Sequence, residues 1–154
     1  MEQRINYYEK GQGAFKALNT IGAYLSKSII EPPLLHLIYF RVSQINGCAY
    51  CLDMHSKDLR AIGETEQRLY MLNAWRDSPV YTARERAAFA FVEAVTKAHV
   101  PDDVYSSSLQ EFSEEELIDL TMAAIAINSY NRLNATFLPV AGGYKPGMFT
   151  QKAN

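Results

Sequence analysis

Only two of the 154 residues are cysteine, too few for a disulfide framework, and a chain of this length buries a core without one. Glycine and proline are sparse, at 8 and 6 residues, while 48% of the chain is apolar and 21% charged; that is the composition of a globular protein, not of a fibrous or disordered one. An excess of one charge sign is also missing. Fifteen Lys and Arg stand against 17 Asp and Glu, a formal −2, so net charge carries no footprint for nucleic acid or anionic lipid. No segment is apolar over the ~18 residues that a membrane span requires. The start, MEQRINYYEKGQGAFKAL, has no apolar run behind a basic stretch, so no secretory signal is expected. The expected location is cytoplasmic. In that reducing setting a close pair of cysteines is more often catalytic, redox-active or metal-binding than a permanent bridge.

What is present is helical periodicity. Phe15, Leu18, Ile21, Gly22 and Leu25 recur at helical intervals between Ala14 and Leu25, and Pro32-Pro33 stop that pattern and start another. The second helix carries Leu34, Leu35, Leu37, Ile38, Phe40, Val42 and Ile45 almost all round and is expected to be buried, until Asn46-Gly47 interrupts it. A helix from about Cys48 to Ala61 ends at Gly63, and Thr65 precedes a short one with Leu69, Leu72 and Trp75 on one side. Thr82 with Glu85, and Ser113 with Glu116, match the capping box and open two further helices. The last of these is apolar on most faces, as suits packing in the core or between subunits. The fold expected is all-α, one helical bundle over residues 1–140. Residues from 139 on read as loose, giving a tail at 141–154.

Both cysteines lie in INGCAYCLDMHSK, residues 45–57. On a helix, positions 48, 51 and 55 fall within an arc of about 60°, so all three side chains share a face. The Cα atoms of Cys48 and Cys51 would lie roughly 5 Å apart, inside the window of a disulfide that can open and close without dismantling the helix. Helical side chains lean toward the N-terminus, which throws the imidazole of His55 back over Cys51. There it can accept the thiol proton or stabilise the thiolate, so Cys51 is favoured as the attacking sulfur, with Cys48 placed to condense with its oxidised form. The helix N-terminus after Asn46-Gly47 pulls the other way, favouring an anion at Cys48. The imidazole contact is the more specific influence.

That stretch, continued as FRVSQINGCAYCLDMHSKDLRAIGETEQRLYMLNAW and followed by TARERAAFAFVEAVT and FSEEELIDLTMAAIAINSYNRLN, resembles the carboxymuconolactone decarboxylase-like superfamily in its alkyl hydroperoxidase D-like branch. The resemblance covers roughly residues 4 to 140. It implies an all-helical bundle of the alkyl hydroperoxidase D-like type that assembles into homotrimers or homohexamers. It also implies a thiol peroxidase acting on organic hydroperoxides or hydrogen peroxide, recharged by a lipoyl or thioredoxin-like dithiol, with no cofactor. Cys51 would be the peroxidatic sulfur, Cys48 the resolving one and His55 part of a proton relay. Decarboxylase members typically lack the cysteine pair, so that activity is not carried over. Two positions depart from the pattern: His36 stands twelve residues before Cys48, where the family's relay has a glutamate, and Tyr50 stands where a second histidine is common.

Other readings of the same residues stay open. His36 on an apolar helix fits a satisfied core histidine as well as a substitute base. Cys48, Cys51, His36 and His55 together have the ligand types of a structural Cys2His2 zinc site, although one helix offers no loop to wrap an ion. A redox sensor or a disulfide-switched interaction protein with little turnover is the remaining alternative. Haem attachment is disfavoured because Leu52, not His, follows the pair. Asp53 and Asp58 are expected to be solvated or salt-bridged, the aromatic residues Tyr39 and Phe40 to serve packing, and His99 to carry no chemistry.

Overall fold

Two prolines at the first two positions of a helix lose no hydrogen bond, and they open the central element of the bundle. In a computed structural model of the chain, which describes residues 2–149, the elements are α1 (Tyr7–Lys10), α2 (Gln12–Leu25), α3 (Pro32–Asn46), α4 (Ala49–Ala61), α5 (Glu66–Met71), α6 (Ala83–Thr96), α7 (Asp102–Ser108) and α8 (Glu114–Phe137). A 3-10 turn at Leu72–Ala74 continues α5. No strand occurs among the described residues, so the chain is all-α. The helices expected from periodicity are present. The short α1, capped by the Asn6 side chain, and α7 carried too few apolar repeats to be read in advance.

α3 buries Leu34, Leu35, Leu37, Ile38, Phe40 and Val42, and it packs against α4, α6 and α8. Both expected capping boxes form, Thr82 with Glu85 at the start of α6 and Ser113 with Glu116 at the start of α8. A buried polar knot joins α3, α6 and the turn that follows α5. Arg41 Nε donates to Glu93 Oε1 at 2.7 Å, the Trp75 indole N–H donates to the same oxygen at 2.8 Å, and Arg41 also reaches Asn73 Oδ1 at 2.7 Å.

Two connections position the site. Gly47 ends α3 in the left-handed region at φ 64°, which a glycine adopts without a Cβ penalty, and Cys48 N–H then donates to Ser43 O at 3.0 Å. α4 therefore begins immediately beyond the end of α3. The second connection corrects the expectation of a loose segment from residue 139. Gly142 N–H donates to Asp53 Oδ2 at 3.0 Å, Lys57 Nζ donates to the carbonyls of Gly142 and Tyr144 at 2.9 and 3.1 Å, and Tyr144 is buried. The segment is strapped across α4 by polar partners that lie on that helix, invisible to a reading of the tail's own composition. Residues 150–154 of the expected tail lie outside the described residues.

Candidate active site

α4 buries Cys51, His55 and Leu59, a stripe at intervals of four that faces α3 and α8. Cys48 is not within the helix but caps it: its backbone is extended, at φ −85° and ψ 94°, and its Sγ accepts from the Cys51 N–H at 3.4 Å. Both cysteines are free and buried, and their sulfurs lie 2.6 Å apart. The shared placement expected for the pair is met with Cys48 one residue outside the helix, where the capping geometry aims its sulfur at the first turn.

The partners of the sulfurs come from α8. Leu117, Leu120, Ala124 and Ile127 form a buried stripe on that helix, and the next two members of the stripe are Asn131 and Asn134. Asn131 Nδ2 donates to Cys51 Sγ at 3.0 Å, and Asn134 Nδ2 donates to the same atom at 3.1 Å and to Cys48 Sγ at 3.6 Å. Each amide is oriented by a donor to its oxygen. Asn46 Nδ2 donates to Asn131 Oδ1 at 2.9 Å, and the Tyr7 hydroxyl donates to Asn134 Oδ1 at 2.7 Å. With both carbonyl sides occupied, the NH2 groups are left to face sulfur. Tyr7 also lines a cleft of about 700 Å³ with Phe15, Leu18, Leu133 and Phe137, so it reaches from that cleft to the thiol cluster.

The electrostatics of the pair are unequal. The Cys48 thiol is pulled down to about 6, chiefly by its hydrogen bond with Cys51, against the cost of burial, and with help from the Cys51 N–H and the two asparagines. The Cys51 thiol is pushed up, first by the same bond to Cys48 and then by burial. The pair sheds one proton readily and holds the second. The pair shares one negative charge, which the helix N-terminus favours on Cys48 and the closer amides favour on Cys51.

His55 lacks the hydrogen bond to the thiol that its spacing suggests. Its ring sits 5.1 Å from that of Tyr39 and 5.9 Å from that of His36, and neither of its nitrogens makes a hydrogen bond among the described residues. Burial, aided by the neighbouring His36, lowers its pKa to about 3, so the imidazole is neutral at ordinary pH. No hydrogen bond links it to Cys51: α3 supplies aromatic neighbours that hold the ring against that helix. His36 is not a satisfied core histidine either, because its buried Nδ1 lacks a partner among the described residues. Asp58, one turn past His55, is half-buried and has no salt bridge among the described residues. It accepts from the Tyr144 hydroxyl at 2.8 Å and lies with His36 and His55 in a cluster whose ligating atoms are all within 4.8 Å of one another. The cysteines are not part of that cluster, so the Cys2His2 set is not assembled.

Sequence reasoning thus found Cys48, Cys51, His55 and His36 but missed Asn131, Asn134, Tyr7, Asp58 and Tyr144. A signal existed for two of the sets: the asparagines continue an apolar stripe at helical spacing, and Asp58 follows His55 by three residues.

The model of the carboxymuconolactone decarboxylase family matches residues 12–94. An uncharacterised protein of Bacillus subtilis, YdfG, is 40% identical over 87% of this chain and 93% of its own. Among solved structures, ATU0492 of Agrobacterium tumefaciens, a protein of unknown function for which an AhpD-type antioxidant defence role has been suggested, superposes with a TM-score of 0.89 at 42% identity, over 93% of this chain and all of that one. The debrominase Bmp8 shares the fold, with a TM-score of 0.78 at 22% identity over 88% of this chain and 74% of its own.

Proposed function

This chain belongs to the carboxymuconolactone decarboxylase family, in its alkyl hydroperoxidase D-like branch, and we propose that within it the protein works as a thiol-dependent peroxidase. The observation that carries this reading is the apposition of two free sulfurs at 2.6 Å under a pair of oriented amide donors. Such donors stabilise a thiolate, the form that attacks peroxides.

In the proposed cycle the proton of the pair passes from Cys51 to Cys48, and the amides of Asn131 and Asn134 hold the charge that appears on Cys51. The Cys51 thiolate attacks the terminal oxygen of a hydroperoxide. The O–O bond breaks, the alkoxide or hydroxide takes up a proton and leaves as alcohol or water, and Cys51 is left as a sulfenic acid. Cys48 then attacks that sulfur, forming the disulfide and releasing water. An external dithiol of the lipoyl or thioredoxin-like kind reduces the disulfide and is itself oxidised. Neutral His55 and His36 are the nearby groups able to pass protons to and from bulk water. Homotrimeric or homohexameric assembly is part of the same proposal, and exposed Ile29, Ile118 and Ile125 are apolar side chains that it would cover.

The test is peroxide consumption with a dithiol reductant, combined with mass measurement of each cysteine. Cys51→Ser abolishes consumption, and Cys48→Ser leaves a sulfenic acid on Cys51 that a dione probe traps. A sulfenic acid found on Cys48 in the Cys51→Ser variant, and none on Cys51, reverses the two roles.

A second reading rests on burial. Cys48 is 6% exposed and Cys51 1%, which suits a sensor whose thiols oxidise once and switch an interaction. Rapid stoichiometric oxidation by peroxide with negligible turnover would select it.

A further inference from the structure

We infer that His36, His55 and Asp58 form a binding site for a divalent first-row transition ion; the sulfurs are not among its ligands, and the two imidazoles pass protons only when the ion is absent. The three ligating atoms lie within 4.8 Å of one another, contributed by α3 and by two positions three residues apart on α4. Two features point to a ligand and not to mere proximity. His55 is 6% exposed, yet among the described residues neither Nδ1 nor Nε2 has a hydrogen-bond partner, and the buried Nδ1 of His36 lacks one too. Buried polar nitrogens ordinarily find partners, and an ion between the two rings would engage one nitrogen of each.

The chemistry of the set is selective. Two imidazoles and one carboxylate suit zinc, iron(II) or cobalt(II), whereas calcium and magnesium prefer all-oxygen shells. In a tetrahedral shell with bonds of about 2.0–2.2 Å, ligand atoms lie about 3.3–3.6 Å apart, so the side chains need to close by little more than ~1 Å. Helix positions three apart project to one face, as they do in metal sites built within helical bundles. The Tyr144 hydroxyl, donating to Asp58 Oδ1 at 2.8 Å, orients the carboxylate and leaves its other oxygen for the ion. Three protein ligands leave a fourth position for water or an exogenous group.

Cobalt(II) titration of the metal-stripped full chain, followed by visible absorption and by competition with zinc(II), tests the assignment. It predicts one ion per chain, d–d bands of nitrogen and oxygen ligation, and none of the intense charge-transfer absorption that thiolate ligands give. Binding persists in the Cys48→Ser/Cys51→Ser double variant and weakens about tenfold or more in Asp58→Asn and in His36→Gln. Absence of stoichiometric binding, a charge-transfer band that vanishes with the cysteines, or undiminished affinity in Asp58→Asn overturns it. Should Asp58→Asn lose its helical circular dichroism, the spectra of the wild type and the double cysteine variant decide alone.

Discussion

A thiol beside a second thiol ionises as half of a pair, and here the first ionisation is easy and the second hard. With Cys48 pulled down to about 6, alkylation of the pair by iodoacetamide should rise with an apparent midpoint near that pH, far below a free cysteine. Asn134→Ala removes an amide that reaches both sulfurs. A hydrogen bond to a charged group is worth about 1.5–3 kcal/mol, so the midpoint should move up by about one to two pH units. The same shifts set the pH dependence of stability. Between pH 6 and pH 9, the folded and ordinary values for Cys48, the unfolded chain holds more protons than the folded one, so stability rises with pH across that window and is lost as pH falls through it. Above pH 9 the raised pKa of Cys51 reverses the sign, since the unfolded thiol ionises first. Chemical unfolding of reduced protein across this range should show a maximum near pH 9, absent in the double serine variant.

At the scale of the element, the turn between α3 and α4 decides where the pair sits. Gly47 holds φ 64°, and a Cβ placed there would meet nothing within 4 Å. Gly47→Ala therefore costs only the backbone penalty of the left-handed region, about 1 kcal/mol, measurable by denaturant unfolding. Helix starts were readable because Pro32-Pro33 and both capping boxes act locally. The orientation of His55 was not, since the ring follows Tyr39 and His36 on another helix. Asn131 and Asn134 were legible as continuations of a buried stripe but not as thiol partners, since they are 80 and 83 residues from Cys51 in the chain.

Across the whole molecule, stability and site geometry share two ties. The buried Arg41–Glu93 pair, both side chains nearly inaccessible, joins α3 to α6. Glu93→Ala leaves a buried guanidinium without its carboxylate and should cost about 3–5 kcal/mol in unfolding free energy. The strap over α4 is the second tie. Ending the chain at residue 140 removes buried Tyr144 and the bonds from Lys57 and Asp53 to the strap, a loss of about 2–3 kcal/mol. A tail free in solvent would change stability by less than about 0.5 kcal/mol on removal.

The sequence by itself determined the helical class, the starts and stops of the principal helices, and the meeting of Cys48 with Cys51, because each depends on residues within a turn or two of one another. Only the tertiary structure decided which atoms those sulfurs and imidazoles face. α8 lays two amides on the thiols, α3 turns His55 toward His36, and the segment around Tyr144 brings a hydroxyl to Asp58. Hydrogen bonding and burial act through space, and their partners lie on elements that no local spacing connects.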